Sequence, residues 1–356
     1  MKVLKKILLA LAIVLGALLL GAVALFTYLT ITEYRPKAEE AVEIVDNREN
    51  APLAKKEFTV LSWNVGYCAL GKESDFFMDG GKEVRPDSEK IIEKNFDGVL
   101  QLLQDRTPDF IFLQEVDSGS KRSYMKDETA GLREALAMPS AYALNYSCSY
   151  VPYPLPTLGR VRSGLLTFSS CGITEAERIS LPCPFSWPVS MVNLKRCLLV
   201  TRIPVEGTEH ELVLVNLHLE AYDDGEGKIA QTKQLLSFLE GEYQKGNYVI
   251  AGGDWNQLFP DTLSVFPNTH EDLWTPGYLD AGDLSEGWSF VYDTTVPTCR
   301  LLNQPYDPAD TADTQYYVID GFLVSPNVEA KAENLDEGFS FSDHNPVLLT
   351  VTLGDE

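Results

Sequence analysis

From Ile7 to Ile31 the chain runs 25 residues without a charge, and nearly all of them are apolar. As a helix rising 1.5 Å per residue, that run would span about 37 Å, enough to cross a hydrocarbon layer of about 30 Å with some tilt. Lys2, Lys5 and Lys6 precede it, so the positive-inside rule sets the remainder of the chain outside the cytoplasm. Ala22-Val23-Ala24 resembles a signal-peptidase site, but the apolar run continues through LFTYLTI past it. The expectation is therefore an uncleaved anchor over residues 1–31, with a cleaved signal sequence as the alternative. Residues 32–57 are charged, hold two prolines and lack a sustained apolar face, and read as a stalk.

Beyond the stalk the apolar runs shorten and change period. FTVLSWNV (58–65), DFIFLQEV (109–116) and RSGLLTFSS (162–170) are buried strands. PDSEKIIEKNFDGVLQLLQ (86–104) puts Ile92, Phe96, Val99 and Leu103 on one helical face, with Pro86 and Asp87 at its start. KRCLLVTRIPV and ELVLVNLHL flank EGTEH as a hairpin. A helix over Lys228–Tyr243 follows, then the strands YVIAGGDWN, QYYVIDGFLVS and PVLLTVTL. Hairpins among strands that alternate with helices predict an α/β layered domain over 58–356, with mixed or antiparallel sheets. No linker interrupts residues 58–353, so one domain is the simpler count.

Charge narrows the partners. The chain carries −23 overall, and its first 31 residues hold basic groups only, so the exported part is more acidic still. Such a field repels polyanions unless a metal or local cations offset it, so a nucleic acid is possible but not favoured. Six cysteines without a CxxC argue against a thiolate zinc site. Export permits a Cys183–Cys197 bridge, and buried free thiols are the alternative. Oligomeric state is not legible.

Several strands end in residues that bind metal or move protons. Asn64 closes LSWN and Glu115 closes FIFLQE. His218 ends LVLVNLH, Asp254 and Asn256 follow VIAGG, Asp320 sits in YVID, and Asp343-His344 precede the last strand. Each alone is a common turn or core residue. Together, hard oxygen donors suit Mg²⁺ or Mn²⁺, and two of the four histidines fall among them. That set suits metal-assisted attack of water on phosphorus.

The ordered series LSWNVG, LQEVD, VNLHL, GGDWN, VIDGFLVS and SDHNPV resembles the endonuclease/exonuclease/phosphatase superfamily. The resemblance covers about residues 58–353, and GDWN and SDHNP are its most specific parts. It implies a DNase I-like, four-layered α/β sandwich of two packed mixed sheets flanked by helices. It further implies Glu115 as principal metal ligand, with Asn64 and Asp343 close to the ion. Asp254 and Asn256 would orient water and phosphoryl oxygens. His344 would be acid/base or phosphate contact, oriented by Asp320, and His218 would donate to a non-bridging oxygen or the leaving group. The AP-endonuclease branch has a Tyr at the place of His218, so this His points to the DNase, sphingomyelinase and phosphatase branches. The Glu that pairs with it in DNases cannot be assigned here.

Residues 257–318, rich in Asp, Pro and Trp, are expected to form long loops over the site. Arg160, Arg162 and Arg300 are the candidate contacts for a substrate phosphate, with Lys121-Arg122 a weaker fourth. The leading expectation is an exported, membrane-tethered, Mg²⁺-dependent phosphoester hydrolase acting on a lipid head group or small phosphodiester. The alternatives are an extracellular DNase-type endonuclease and a catalytically silent surface-binding module.

Overall fold

In the computed structural model, residues 1–46, 51–223, 225–270, 272–309 and 313–354 are described. Helix α1 (Lys2–Ile31) leaves nearly all its side chains exposed, and only Leu29 near its end is buried. It is long and apolar enough to cross a membrane or to serve as a signal sequence.

Two seven-stranded sheets follow. The chain lays down β1 (Glu39–Ala41), β2 (Ile44–Val45), β3 (Glu57–Asn64), β4 (Phe110–Asp117), β5 (Ser140–Val151), β6 (Gly159–Ser169) and β7 (Glu175–Ser180). It continues with β8 (Cys197–Pro204), β9 (Glu211–His218), β10 (Tyr248–Asp254), β11 (Ser289–Val291), β12 (Asp320–Val324), β13 (Val328–Asn334) and β14 (Val347–Leu353). One sheet has the order β1-β7-β8-β9-β10-β12-β11 and the other β13-β14-β3-β4-β6-β5-β2. Only β3–β4 and β9–β10 pair in parallel within these sheets, so both are mixed.

The layers follow from where each face finds cover. Phe58, Val60, Phe112 and Leu349 from one sheet meet Leu199, Leu214, Ile250 and Phe322 from the other. On the outer face of the β3-containing sheet, Trp63, Leu61 and Ile111 pack under α2 (Glu89–Arg106) and α3 (Glu128–Leu136), through Ile92, Phe96, Val99 and Leu132. On the far side, α4 (Glu226–Tyr243) covers Val213, Val215 and Val249 with Leu235 and Leu239. Helix, sheet, sheet, helix is the four-layered DNase I-like sandwich expected. Each fully buried aliphatic side chain in such a face contributes about 1.5–3 kcal/mol. The start of α2 lies later than expected: Ser88 caps it, its Oγ accepting from the Lys90 N–H at 3.3 Å, and Pro86 and Asp87 stay outside.

The stalk expected over residues 32–57 is not a free spacer. Glu39–Ala41 pair with Glu177–Ile179 on one sheet, and Ile44–Val45 pair with Ser140–Ala141 on the other. Leu53 is buried in the core between the sheets. The stretch is polar because edge strands face solvent on one side, and that polarity hid its role. Only residues 32–38 separate α1 from the sandwich. No disulfide forms: all six cysteines are free.

Candidate active site

Sheet register assembles half the site. His218, Asp254 and Asp320 stand opposite one another on the adjacent strands β9, β10 and β12. Gly253 permits this close pairing: a Cβ there would lie 1.9 Å from the Leu217 carbonyl oxygen. The other sheet supplies Asn64 at the end of β3 and Glu115 on β4. The β4–β6 register breaks between Leu113 and Val116, and Glu115 takes φ 56°. A non-glycine residue in the left-handed region at a bulge is a local strain that re-aims one side chain. The segment before β14 brings Asp343 and His344, tied down where the Trp63 Nε1–H donates to the His344 carbonyl at 2.8 Å.

Asn64, Glu115, His218, Asp254, Asp343 and His344 share the floor of one cavity of about 520 Å³, and Asp320 lies behind His344. His344 Nδ1 lies 2.8 Å from Asp320 Oδ2, leaving Nε2 at 3.7 Å from Asp254 Oδ2 and 3.9 Å from Asp343 Oδ2. His218 Nε2 is 3.4 Å from Asp254 Oδ2, and its Nδ1 has no hydrogen-bond partner. The acid beside His218 is thus Asp254; Glu220, two residues on, lies 3.7 Å from Arg196 instead. Asp254 also accepts from the Asn64 amide at 2.9 Å and the Asn256 backbone N–H at 2.9 Å. Asn256 donates its own amide to the Leu219 carbonyl at 2.9 Å.

Burial sets the proton affinities. It pushes the Asp343 carboxyl up to about 7, with His344 opposing and the Glu115 charge adding to the rise. Burial likewise raises Asp254 to about 6. For His344, burial favours the neutral ring, but Asp320, Cys299, Asp254 and Asp343 outweigh it and hold the imidazole well above its ordinary range. His218 goes the other way: burial, then Arg196, His344 and Arg122, keep it neutral.

The expected phosphate arginines fare differently. Arg300 does not line the cavity. It is buried, and its guanidinium donates to the carbonyls of Gly71 (2.9 Å), Ser74 (3.1 Å), Gln304 (3.1 Å) and Leu301 (3.4 Å). Neither Arg160, which is exposed, nor Arg162 lines the cavity. Arg122 does, its guanidinium 3.6 Å over the Tyr67 ring and 3.9 Å from Glu115, held by two hydrogen bonds to Asp117. Arg196 also lines the cavity and went unnoticed, because a charge before a strand reads as solvated. From the 257–318 stretch, Trp274, Cys299 and Leu302 reach the cavity.

The donor set fits a hard divalent cation by its chemistry: the carboxylates of Glu115 and Asp343 line the same cavity beside Asp254, and oxygen donors of this kind are what such an ion takes. Asn64 departs from the expectation. Its Oδ1 accepts from the Gly66 N–H at 3.0 Å while its NH₂ faces Asp254 and, at 3.4 Å, Glu115. It offers these carboxylates hydrogens rather than offering an ion an oxygen, and so acts as a clamp between them.

Among solved structures, an endonuclease/exonuclease/phosphatase from Beutenbergia cavernae DSM 12333 superposes with TM-score 0.56 at 18% identity, covering 84% of this chain and 72% of that one. ANGEL2, a 2′,3′-cyclic phosphatase solved with adenosine-2′,3′-vanadate, gives 0.55 at 14% identity, covering 88% and 99%. The human Nocturnin catalytic domain with bound sulfate gives 0.51 at 16%, covering 88% and 97%. No curated protein sequence matches the chain. These likenesses show the fold. A model of the endonuclease/exonuclease/phosphatase family matches residues 61–344, a range that holds Asn64, Glu115, His218, Asp254, Asn256, Asp320, Asp343 and His344. The chain therefore belongs to the endonuclease/exonuclease/phosphatase family.

Proposed function

We propose that the protein is an exported, membrane-tethered phosphoester hydrolase that needs Mg²⁺ or Mn²⁺. One observation carries the reading: Glu115, Asp343, Asp254, His218 and His344 converge on a single cavity floor from both sheets, with Asp320 behind His344. Glu115 and Asp343 would hold the cation, which supplies charge neutralisation at the phosphoryl oxygens. Asp254, fixed by Asn64 and the Asn256 backbone, orients the attacking water and accepts its proton. Water's oxygen forms the new P–O bond as the bond to the leaving oxygen breaks. His344, charged at neutral pH and fixed by Asp320, gives its Nε2 proton to that oxygen. His218, neutral, offers a hydrogen bond to a non-bridging oxygen. ANGEL2, a 2′,3′-cyclic phosphatase, carries phosphoester chemistry on a similar fold. The apolar helix α1 supports export and tethering.

The test is turnover by the purified protein with Mg²⁺ or Mn²⁺, then with EDTA, on bis(p-nitrophenyl) phosphate, phospholipids, phosphatidylinositol phosphates and DNA. EDTA-reversible hydrolysis of a non-nucleic phosphoester supports the reading. Turnover of DNA alone makes the protein an endonuclease. No turnover, with no metal binding by calorimetry, makes it a silent module.

A further inference from the structure

The cavity has two unlike halves. Its floor is the polar constellation above; its wall is apolar and comes from three separate segments. Phe77, Tyr146, Val151, Leu158, Val192 and Leu194 line the wall. The same six side chains belong to the cluster that buries Leu29 and packs against Leu25 of α1. The last turns of the membrane-length helix thus share one apolar cluster with the cavity wall.

Polar contacts lock that junction. The Trp187 Nε1–H donates to Thr30 Oγ1 at 3.3 Å, and its ring sits 6.1 Å from Phe26. Glu33, just past the helix, accepts from Lys195 Nζ at 3.1 Å and from Ser190 Oγ at 3.3 Å. A helix that spans a bilayer ends at its surface, so segments docked on its last turns lie at that surface. Those segments expose large apolar side chains. Leu155 is 84% and Tyr153 71% exposed, and Trp187 and Val189 are exposed beside the helix. Met78 and Tyr153 stand on the cavity lining itself. Aromatic and aliphatic groups left bare next to a membrane helix are placed as interfacial anchors are. The charge of the cavity fits poorly with a polynucleotide: its two lining arginines, Arg122 and Arg196, already face Asp117 and Glu220.

We infer that the cavity takes a membrane phospholipid, its apolar part against the Val151–Leu158–Val192 wall and its phosphoester on the Asp254–His344 floor, entering from the bilayer over the Tyr153–Leu155 and Trp187–Val189 rim. This rests on the hydrolase reading and names its substrate class. Burying a lipid's methylenes on that wall contributes binding energy that a head group alone lacks.

The test uses the full chain in nanodiscs of phosphatidylcholine, phosphatidylethanolamine, phosphatidylglycerol, cardiolipin, sphingomyelin and phosphatidylinositol 4,5-bisphosphate, with Mg²⁺ and mass-spectrometric product detection. Bis(p-nitrophenyl) phosphate and four-carbon-chain versions of the same lipids are assayed beside them. At least one long-chain lipid is expected to be cleaved with kcat/KM at least tenfold above its short-chain version. Leu158→Trp, which fills the wall, should collapse that ratio toward one. Leu155→Ser/Val189→Ser, exposed and outside the cavity, should lower nanodisc turnover at least fivefold and leave bis(p-nitrophenyl) phosphate hydrolysis within twofold. Hydrolysis of the soluble diester or of DNA with no lipid cleaved overturns the inference and leaves the hydrolase standing. Equal rates on long and short chains, with rim variants unaffected, also overturn it. Loss of every turnover removes the hydrolase reading and this inference together.

Discussion

The floor and the wall of the cavity are built by opposite means. Glu115, Asp254, Asp343, His218 and His344 of the floor sit in or near the ends of strands, and ladder register sets the central neighbours: Asp254 meets both His218 and Asp320 because β10 lies between β9 and β12. The wall is framed only in part, by Tyr146 and Val151 of β5. It gathers Phe76–Met78, Tyr146, Val151–Tyr153, Leu158 and Val192–Leu194 by side-chain packing, partly on α1. Sheets hold reacting groups to within the tolerance that chemistry needs, while packed loops adapt to shape. The floor should therefore be intolerant and reaction-defining, the wall tolerant and substrate-defining.

That contrast can be broken in order of expected effect. Glu115→Gln should reduce kcat about a thousandfold, since the charge stabilisation a cation supplies is worth several kcal/mol. Circular dichroism should show the fold unchanged; a loss below tenfold would remove Glu115 from the floor's chemistry. Arg300→Met should act on stability instead. Four carbonyls lose their donor, and denaturant unfolding should report a loss of about 3 kcal/mol, with KM within twofold. A raised KM at unchanged stability would return Arg300 to the substrate.

Asp320→Asn should lower kcat by about 10- to 100-fold, because it releases the ring that Asp320 orients. It should also shift the alkaline limb of the pH–rate profile to lower pH, since Asp320 helps hold the His344 proton.

Smaller effects follow from burial. Asp343, Asp254 and Asp79, the last a cavity-lining acid that accepts from the Tyr222 hydroxyl at 2.9 Å, are raised to about 7, 6 and 6 from the ordinary aspartate value of 3.8. Between pH 4 and 7 the folded state binds more of their protons than the unfolded chain, so stability falls as pH rises through that window. His218, kept neutral, opposes this only below its ordinary value of 6.5. Mg²⁺ should accordingly raise the melting temperature more at pH 8 than at pH 5; equal shifts would place the cation away from Asp343. Least of all, Arg160→Ala should leave kcat/KM within twofold, as the residue lies outside both floor and wall.

Much of the floor was legible because its signals are local. An apolar run that ends in Asn, Glu, Asp or His announces both a strand and the group at its tip, and GDWN and SDHNPV joined them into a family pattern. The hairpin around EGTEH and the helix near Lys228–Tyr243 came through for the same reason. What failed was whatever depends on a distant partner. Residues 39–45 read as stalk because an edge strand of two or three residues carries no period of its own. Arg300 read as a substrate contact because the carbonyls that claim it belong partly to Gly71 and Ser74, more than two hundred positions away. Asn64 read as an oxygen donor because the direction of an amide is set by its neighbours, here Gly66 and Asp254.

By itself, then, the chain's pattern determined the membrane-length helix, the layered α/β class and the acid–histidine set, since each is written in short-range alternation or in residue type at a strand end. Only the tertiary structure decided which acid faces which histidine, which arginines line the cavity, and that the end of α1 packs with its wall. Those are distances between segments far apart in the chain, and hydrophobic burial and sheet register, not local propensity, set them.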